Sequence, residues 1–573
     1  MKHYYGVNPE VKKENLKNSE ALKPFLEDII AQADTAICED SIAFKMSEYM
    51  MFFDSGNRNV YEKKYFGRRQ KCFFIFIAYW LTGDEKYKTP LVDYINYICD
   101  EFSWCLPAHS ELPQQMNEAV VEHVDLFQAE TARFLAEIYM CVGDTLPDYV
   151  VDRMHLEVRR RIFASFKKGK RYGWEDWCMN WATVCAAGCV VAALYFGDEE
   201  EQKMLIPRLN ACLDHYLLGI GEDGCCKEGI SYWTYGFSHF CIQAEALRVY
   251  TDGEVDYFTH PKVEKLAKFL QKVRLAENKV VCFADGFEHF TYRMGFQCFL
   301  KHKYPEVTLP SLKYGTYKGN VHSVFDFLWF DENYKEDAPV YHTEIFEDSQ
   351  WFIKKTPRYS LAAKGGRNDE PHNHNDIGSF MITVGDETFM ADLGRGEYTR
   401  QNFTPSIRYT LLQNGSHGHS VPIINGAYQP EGGAFRAENV EFSENGFSLQ
   451  MEKAYPEGLI EGIHRQFTCE PDRVVLTDTF TPSANTTSIV ERLMTKIEPK
   501  VEEGMIDLGV GKILFDASKY EIKVNPVSFD SVTINASYKE HNARDIAVPT
   551  TVYQLDFEAK DRNETVFVFE FVI

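Results

Sequence analysis

Apolar residues recur at helical spacing from about residue 20 to 325, as in Ala21 to Ile37, Cys72 to Leu81, Ala129 to Tyr139 and Val184 to Phe196. Several of these runs end alike. Tyr79-Trp80-Leu81-Thr82-Gly83-Asp84, Tyr139-Met140-Cys141-Val142-Gly143-Asp144, Tyr195-Phe196-Gly197-Asp198 and Tyr250-Thr251-Asp252-Gly253 each place a glycine where a helix C-cap calls for positive φ. The glycines are spaced by roughly 55 to 60 residues, room for two helices and their turns, so the unit is a helical hairpin repeated around an axis. That pattern predicts an α/α toroid.

Beyond about residue 335 the pattern becomes short, alternating or β-rich runs bounded by Gly, Asn, Asp and Pro: Trp351 to Lys355, Ser379 to Val384, Arg473 to Phe480, Thr551 to Phe557 and Thr565 to Val572. Regular turn signals without intervening helices predict an antiparallel β-sandwich. The change falls between Phe325 and Tyr341, giving a helical domain over 1–330 and a sandwich over 331–573. No low-complexity linker separates them, so the two should pack closely, and a cleft between them is the default place for a ligand.

Composition narrows the partners. At 573 residues the chain is too long for one hydrophobic core, and 45% hydrophobic with 14% aromatic residues supports two folded units. A formal net charge of −24 argues against nucleic acid and against anionic membrane surfaces as partners. An acidic glycan could still bind through a local basic or hydrogen-bonding cleft. The N-terminal stretch MKHYYGVNPEVKKENLK has no apolar core of a secretory signal, and no run of about twenty apolar residues is free of charge, so a cytoplasmic protein is expected. The 15 cysteines lack zinc-ribbon spacing and are expected to be reduced.

Three clusters could carry chemistry. The densest spans residues 367–380; if extended, it puts His372, His374 and Asp376 on one face of a strand, where imidazole and carboxylate together suit zinc or a similar ion. Asp392 follows an apolar run, and His417 and His419 flank Gly418 further on. The bland reading is a solvated loop with incidental histidines. The second cluster, Trp177 to Cys185, sets Asn180 beside Trp181 at the start of a helix; sugars favour such a mixture of amide and indole, but Asn180 could simply cap the helix over core tryptophans. The third runs from Glu228 to His239, where Tyr232 and Tyr235 fall three apart on one helical face and either line the cavity or pack as ordinary aromatics. Arg68, Arg69, Lys71 and the run Lys167-Lys168-Gly169-Lys170-Arg171 could greet an anion or be solvated faces.

In this order and placement, Asn-Trp-x-x-Val-Cys, Glu-Gly-x-x-Tyr-Trp-x-Tyr-Gly, His-x-His-x-Asp-x-Gly-Ser-Phe and the later Asp-x-Gly resemble the heparinase II/III family of polysaccharide lyases and their alginate-lyase relatives, over nearly the whole chain. The resemblance implies β-elimination on a uronate-containing acidic glycan. It implies that Asn180 neutralises the uronate carboxylate, that Tyr235, or failing it Tyr232, carries protons, and that His372 assists from across the cleft. Trp181, Glu228, Tyr232, Trp233 and His239 would contact substrate. His374, Asp392 and His419, favoured over His417, would hold a structural zinc, although His419-Ser420-Val421 departs from the family's His-Asn-Thr.

Two other readings compete. An α/α-toroid glycoside hydrolase would use paired carboxylates drawn from Glu111, Glu175, Asp176 and Glu228, none of which has a partner at an identifying spacing. A non-catalytic glycan-binding protein would keep only the aromatics.

Overall fold

The computed structural model describes residues 2–573 apart from 40–42, 111–117, 318–322, 397, 399, 534–545 and 562–563. Long helices dominate the first half: α1 (Asn59–Thr82), α2 (Leu126–Val142), α3 (Asn180–Phe196), α4 (Glu199–Gly219) and α5 (Ser238–Tyr250). Helix α3 is apolar all round and buries every residue except Trp181, the signature of a helix surrounded on all sides. Helices α2, α4 and α5 pack around it. Gly188 permits the close approach of α2, because a Cβ there would run into the Ala129 carbonyl. The hairpins form an α/α toroid.

The hairpin period holds, but the expected capping reason holds only in part. Gly83 takes a left-handed φ of 67° and its N–H donates to the Tyr79 carbonyl at 2.8 Å, and Gly253 is left-handed at 91°. Gly143 and Gly197 instead keep negative φ, −53° and −81°. Gly197 leads directly into Asp198, which exchanges hydrogen bonds with Glu201 at 2.9 Å each way and caps α4.

The second half is antiparallel β-structure. Thr343–Phe346, Trp351–Lys355, Ser360–Lys364, Phe380–Val384 and Glu387–Met390 form a five-stranded meander. An eight-stranded sheet runs between Glu438–Ser443 and Lys500–Glu502, and a four-stranded sheet carries the long hairpin Tyr520–Thr533 and Ile546–Ala559. Alternate residues of Gly462–Cys469 and Arg473–Thr481 are buried, as period-two side chains require when one face is covered. That face meets the meander: Phe352 stacks on Phe447 at 5.8 Å, and Phe380 packs on Phe467 and Phe571 at 5.0 and 5.5 Å. The result is a sandwich.

The halves share packing and charge. Trp351 packs edge-on against Phe283 at 5.2 Å, and Glu288 is held between Lys279 and Lys496, each at 2.5 Å. Residues 279–288, which follow the helix Phe269–Val273, lie against the sandwich; the Arg395 backbone N–H donates to the Gly286 carbonyl at 2.9 Å. This segment delivers Asp285 to the histidine-rich loop. Among the described residues no helix is long and apolar enough to cross a membrane, and all 15 cysteines are free thiols.

Candidate active site

Asn180 is the first residue of α3, but Met179 takes the cap position and no side chain caps the helix. The Asn180 amide is therefore free for a tertiary contact, and its Nδ2 donates to Glu228 Oε2 at 2.7 Å. Glu228 precedes Gly229, whose φ of 94° turns the chain into the short helix Ile230–Tyr232. That helix widens into a π-helical turn over Trp233–Phe237, an irregularity common at functional sites. Tyr232 and Tyr235 consequently enter different environments. The Tyr232 ring stacks on His372 with centroids 4.0 Å apart, and its hydroxyl lies 2.8 Å from that of Tyr398. The Tyr235 hydroxyl donates to Glu130 Oε2 on α2 at 3.0 Å.

The segment carrying His372 is a loop between Arg367–Asn368 and Phe380–Val384, not a strand. His372 sits at a φ of 57°, a conformation that costs a non-glycine residue about 1–2 kcal/mol. Asp376 leaves the predicted histidine face to pair with buried Lys364. His372 Nδ1 lies 2.8 Å from Asp285 Oδ2, and its Nε2 lies 3.7 Å from Glu228 Oε2. Asp285 also accepts from the Tyr398 hydroxyl at 2.6 Å and from Arg408 Nη2 at 3.3 Å, and it lies 3.2 Å from His374 Nε2. Burial works to raise its carboxyl, but the hydrogen bonds from His372 and His374, with Arg408, outweigh burial and hold it well below the usual range.

The neighbouring groups shift the other way. Burial pushes the Glu228 carboxyl up against the opposing pull of His372 and Asn180. Burial, then Asp285, pushes the Tyr232 phenol up, while Arg395 and Tyr398 oppose it. Tyr235 is driven well above the ordinary range by burial and then by Glu130. Both phenols therefore keep their protons at neutral pH.

Behind Asp285 lies a second cluster. His374, Asp392 and His419 are buried and offer ligand atoms that all lie within 4.8 Å of one another. His374 turns Nε2 to Asp285, while its Nδ1 is buried without a hydrogen-bond partner. His419 sets Nε2 3.0 Å from the Gln413 carbonyl and Nδ1 3.1 Å from Asp392 Oδ2. In each ring one nitrogen is occupied by an outer acceptor and the other is left available, the arrangement a metal-binding imidazole needs. Two imidazoles and one carboxylate suit zinc, so the residues fit such an ion. His417 lies outside this group; burial pushes it down to about 4, and its ring lies against Tyr428.

No family model and no curated protein matches the sequence. Solved structures do match. Heparan sulfate lyase HepC from Pedobacter heparinus superposes with a TM-score of 0.59 at 13% identity, covering 95% of this chain and 82% of its own. A heparinase III gives 0.58 at 16% identity over 90% and 77%, and the chondroitin AC lyase of Streptomyces coelicolor A3 gives 0.58 at 9% over 98% and 82%. The chain has the heparinase-like lyase fold.

Within that heparinase-like fold the structure separates the other predicted site residues. Trp181 is half-buried on the wall, edge-on to His109 at 5.0 Å and to Trp177 at 5.6 Å. Trp233, expected to contact substrate, is 1% exposed; its indole N–H donates to the Leu266 carbonyl at 2.8 Å and its ring packs against Phe237, Phe269 and Phe296. It is a core residue. His239, expected to contact substrate, is buried behind Tyr235, between the Tyr235 carbonyl at 2.7 Å and Glu130 at 3.2 Å. Glu175 is consumed by Arg208 at 2.7 Å, Asp176 pairs at the surface with Arg171, and Glu111 lies outside the described residues. The basic runs are likewise paired: Arg68 and Arg69 with Glu101, Lys71 with Glu39, Lys167 with Glu201 and Lys168 with Glu122.

Two contributors carried no motif. Asp285 stands in an apolar Cys-Phe-Ala-Asp-Gly-Phe stretch, where an isolated carboxylate was the only signal. Arg58 lies within electrostatic reach of Tyr232 and Tyr398 and bonds Glu62 at 2.6 Å, which makes it a cation of the helical half beside this site.

Proposed function

We propose that this protein is a lyase that cleaves a uronate-containing acidic glycan by β-elimination. The observation that carries the reading is the Asn180, Glu228, His372 and Tyr232 cluster, an amide, a carboxyl, an imidazole and a phenol gathered where toroid meets sandwich. The likeness in fold to heparan sulfate, heparin-type and chondroitin lyases supports the same class of substrate.

The chemistry follows from the groups. The proton beside a carboxylate is weakly acidic, so the charge that moves onto the carboxylate as that proton leaves must be stabilised, and a preorganised amide such as Asn180 does this. Glu228, whose carboxyl is raised by burial, accepts from the Asn180 amide and holds it in place. His372 presents Nδ1 to Asp285, which fixes its proton there and leaves Nε2 with a lone pair to accept the substrate proton. Tyr232, a protonated phenol stacked on that imidazole, donates to the leaving oxygen. The C–H electron pair becomes the new C=C bond, the C–O bond to the leaving sugar breaks, and the proton count balances. Tyr235 bonds a carboxylate that raises its phenol further, which makes it the weaker candidate of the pair. His374, Asp392 and His419 would hold a zinc ion that stabilises the loop carrying His372.

Incubation with heparan, chondroitin, hyaluronan and alginate oligosaccharides while recording near-ultraviolet absorbance tests the proposal. A lyase yields an absorbing unsaturated uronate from at least one of them. New reducing ends without absorbance would instead identify a hydrolase.

A further inference from the structure

Asp285 lies between two histidines with different tasks. Its Oδ1 lies 3.2 Å from His374 Nε2 and its Oδ2 lies 2.8 Å from His372 Nδ1, so one carboxylate takes a proton donor from each ring. Each contact decides which nitrogen keeps its lone pair. On His374 it is Nδ1, which is buried without a hydrogen-bond partner on a ring grouped with Asp392 and His419; on His372 it is Nε2, 3.7 Å from Glu228 Oε2. Tyr398 and Arg408 hold the carboxylate from its remaining sides.

The backbone reinforces this arrangement. Ala284, which precedes Asp285, has a φ of 58°, and His372 has a φ of 57°. Two non-glycine residues in left-handed conformations thus meet across one carboxylate. Such strain persists only where the surroundings over-determine the geometry, and it concentrates at functional sites.

We infer that Asp285 is a positioning residue that couples the metal-ligand histidine to the proton-accepting histidine, so that filling the His374, Asp392 and His419 site fixes the orientation of His372. The inference rests on the lyase reading only for the task given to His372. A ligand on His374 Nδ1 removes the freedom of that ring; its Nε2–H then anchors Asp285 Oδ1, and Oδ2 anchors His372. Carboxylates in this outer position typically alter metal affinity or activity by about 10- to 100-fold when replaced.

Asp285→Asn tests the coupling in the full-length protein, because the two rings meet different oxygens and an amide replaces one of these with an NH2 donor. Zinc affinity, read by competition with a chromogenic chelator, is expected to fall about 10- to 100-fold. Turnover of the glycan should fall at least as far while KM stays near the wild-type value. Unchanged zinc affinity, lowered affinity with unchanged turnover, or a wild-type protein that takes up no zinc would each overturn the coupling. Should the variant fail to fold, neutron diffraction from zinc-loaded wild-type protein decides. Deuterons on His372 Nδ1 and His374 Nε2 are expected, and a deuteron on His374 Nδ1 would overturn the inference. Failure of the lyase reading looks different: the wild type would make no unsaturated product, while the zinc and neutron results would stand.

Discussion

The two clusters that meet at Asp285 differ in what they leave open. His374, Asp392 and His419 are at most 1% exposed, and their polar atoms are paired except His374 Nδ1, which is buried without a hydrogen-bond partner. His372, Tyr232 and Tyr235 keep partly exposed side chains, and His372 Nε2 lies 3.7 Å from Glu228 Oε2. The closed cluster has the form of a binding site that holds a loop in place. The open one carries partly exposed groups able to move protons. The proposed lyase reading accordingly puts chemistry on the Tyr232 side of Asp285 and stability on the His419 side.

That division can be broken in several ways. The largest effect is expected for Tyr232→Phe, which keeps the ring on His372 and removes the hydroxyl; turnover should fall about 10²- to 10⁴-fold, the usual worth of a positioned acid. Tyr235→Phe should fall far less. The reverse order, measured by ultraviolet product formation, would move the proton carrier to Tyr235 and Glu130.

Asn180→Ala comes next. It removes the amide proposed to stabilise the developing charge, so turnover should drop about 10²- to 10³-fold while substrate affinity changes little. Weakened binding with unchanged turnover would show that Asn180 only orients the substrate.

Zinc should act on stability. A ligand at a hundred times its dissociation constant that binds only the folded state stabilises by about 2.7 kcal/mol, so calorimetry of chelator-treated protein should show the melting temperature rising on adding zinc back. An unchanged melting temperature would leave the closed cluster as a plain hydrogen-bond network. The smallest effect is expected for Trp181→Ala on the open wall, where loss of an aromatic contact should weaken binding by about 0.5–1.5 kcal/mol without altering the melting temperature.

Periodicity made the architecture legible: the helical hairpins, the change to strands after Leu328 and the fully apolar α3 follow from residue order. The glycine caps were less legible, because Gly143 and Gly197 mark hairpin ends without left-handed backbone. Asn180, Glu228 and His372 stood out through their motifs, but that Glu228 links the other two appears only in the fold. Trp233 looked like its neighbour Tyr232, since sequence does not reveal the π-helical turn that begins between them and goes with one ring lying in the core and the other on His372. Asp285 could not be read at all. Its importance arises from contacts 87 to 123 residues away, which no local pattern encodes.

Elimination and hydrolysis are separated most directly by the origin of oxygen in the products. Glu228 and Asp285 flank His372 as two carboxylates could in a hydrolase, although Asp285 is already committed to its donors. Cleavage of a uronate oligosaccharide in heavy-oxygen water, followed by mass spectrometry, distinguishes the two. Elimination predicts one fragment lighter by a water than its hydrolytic counterpart and no heavy oxygen introduced by bond cleavage in either fragment. Heavy oxygen at the newly formed reducing end, beyond the slow exchange seen with the intact sugar, would contradict it.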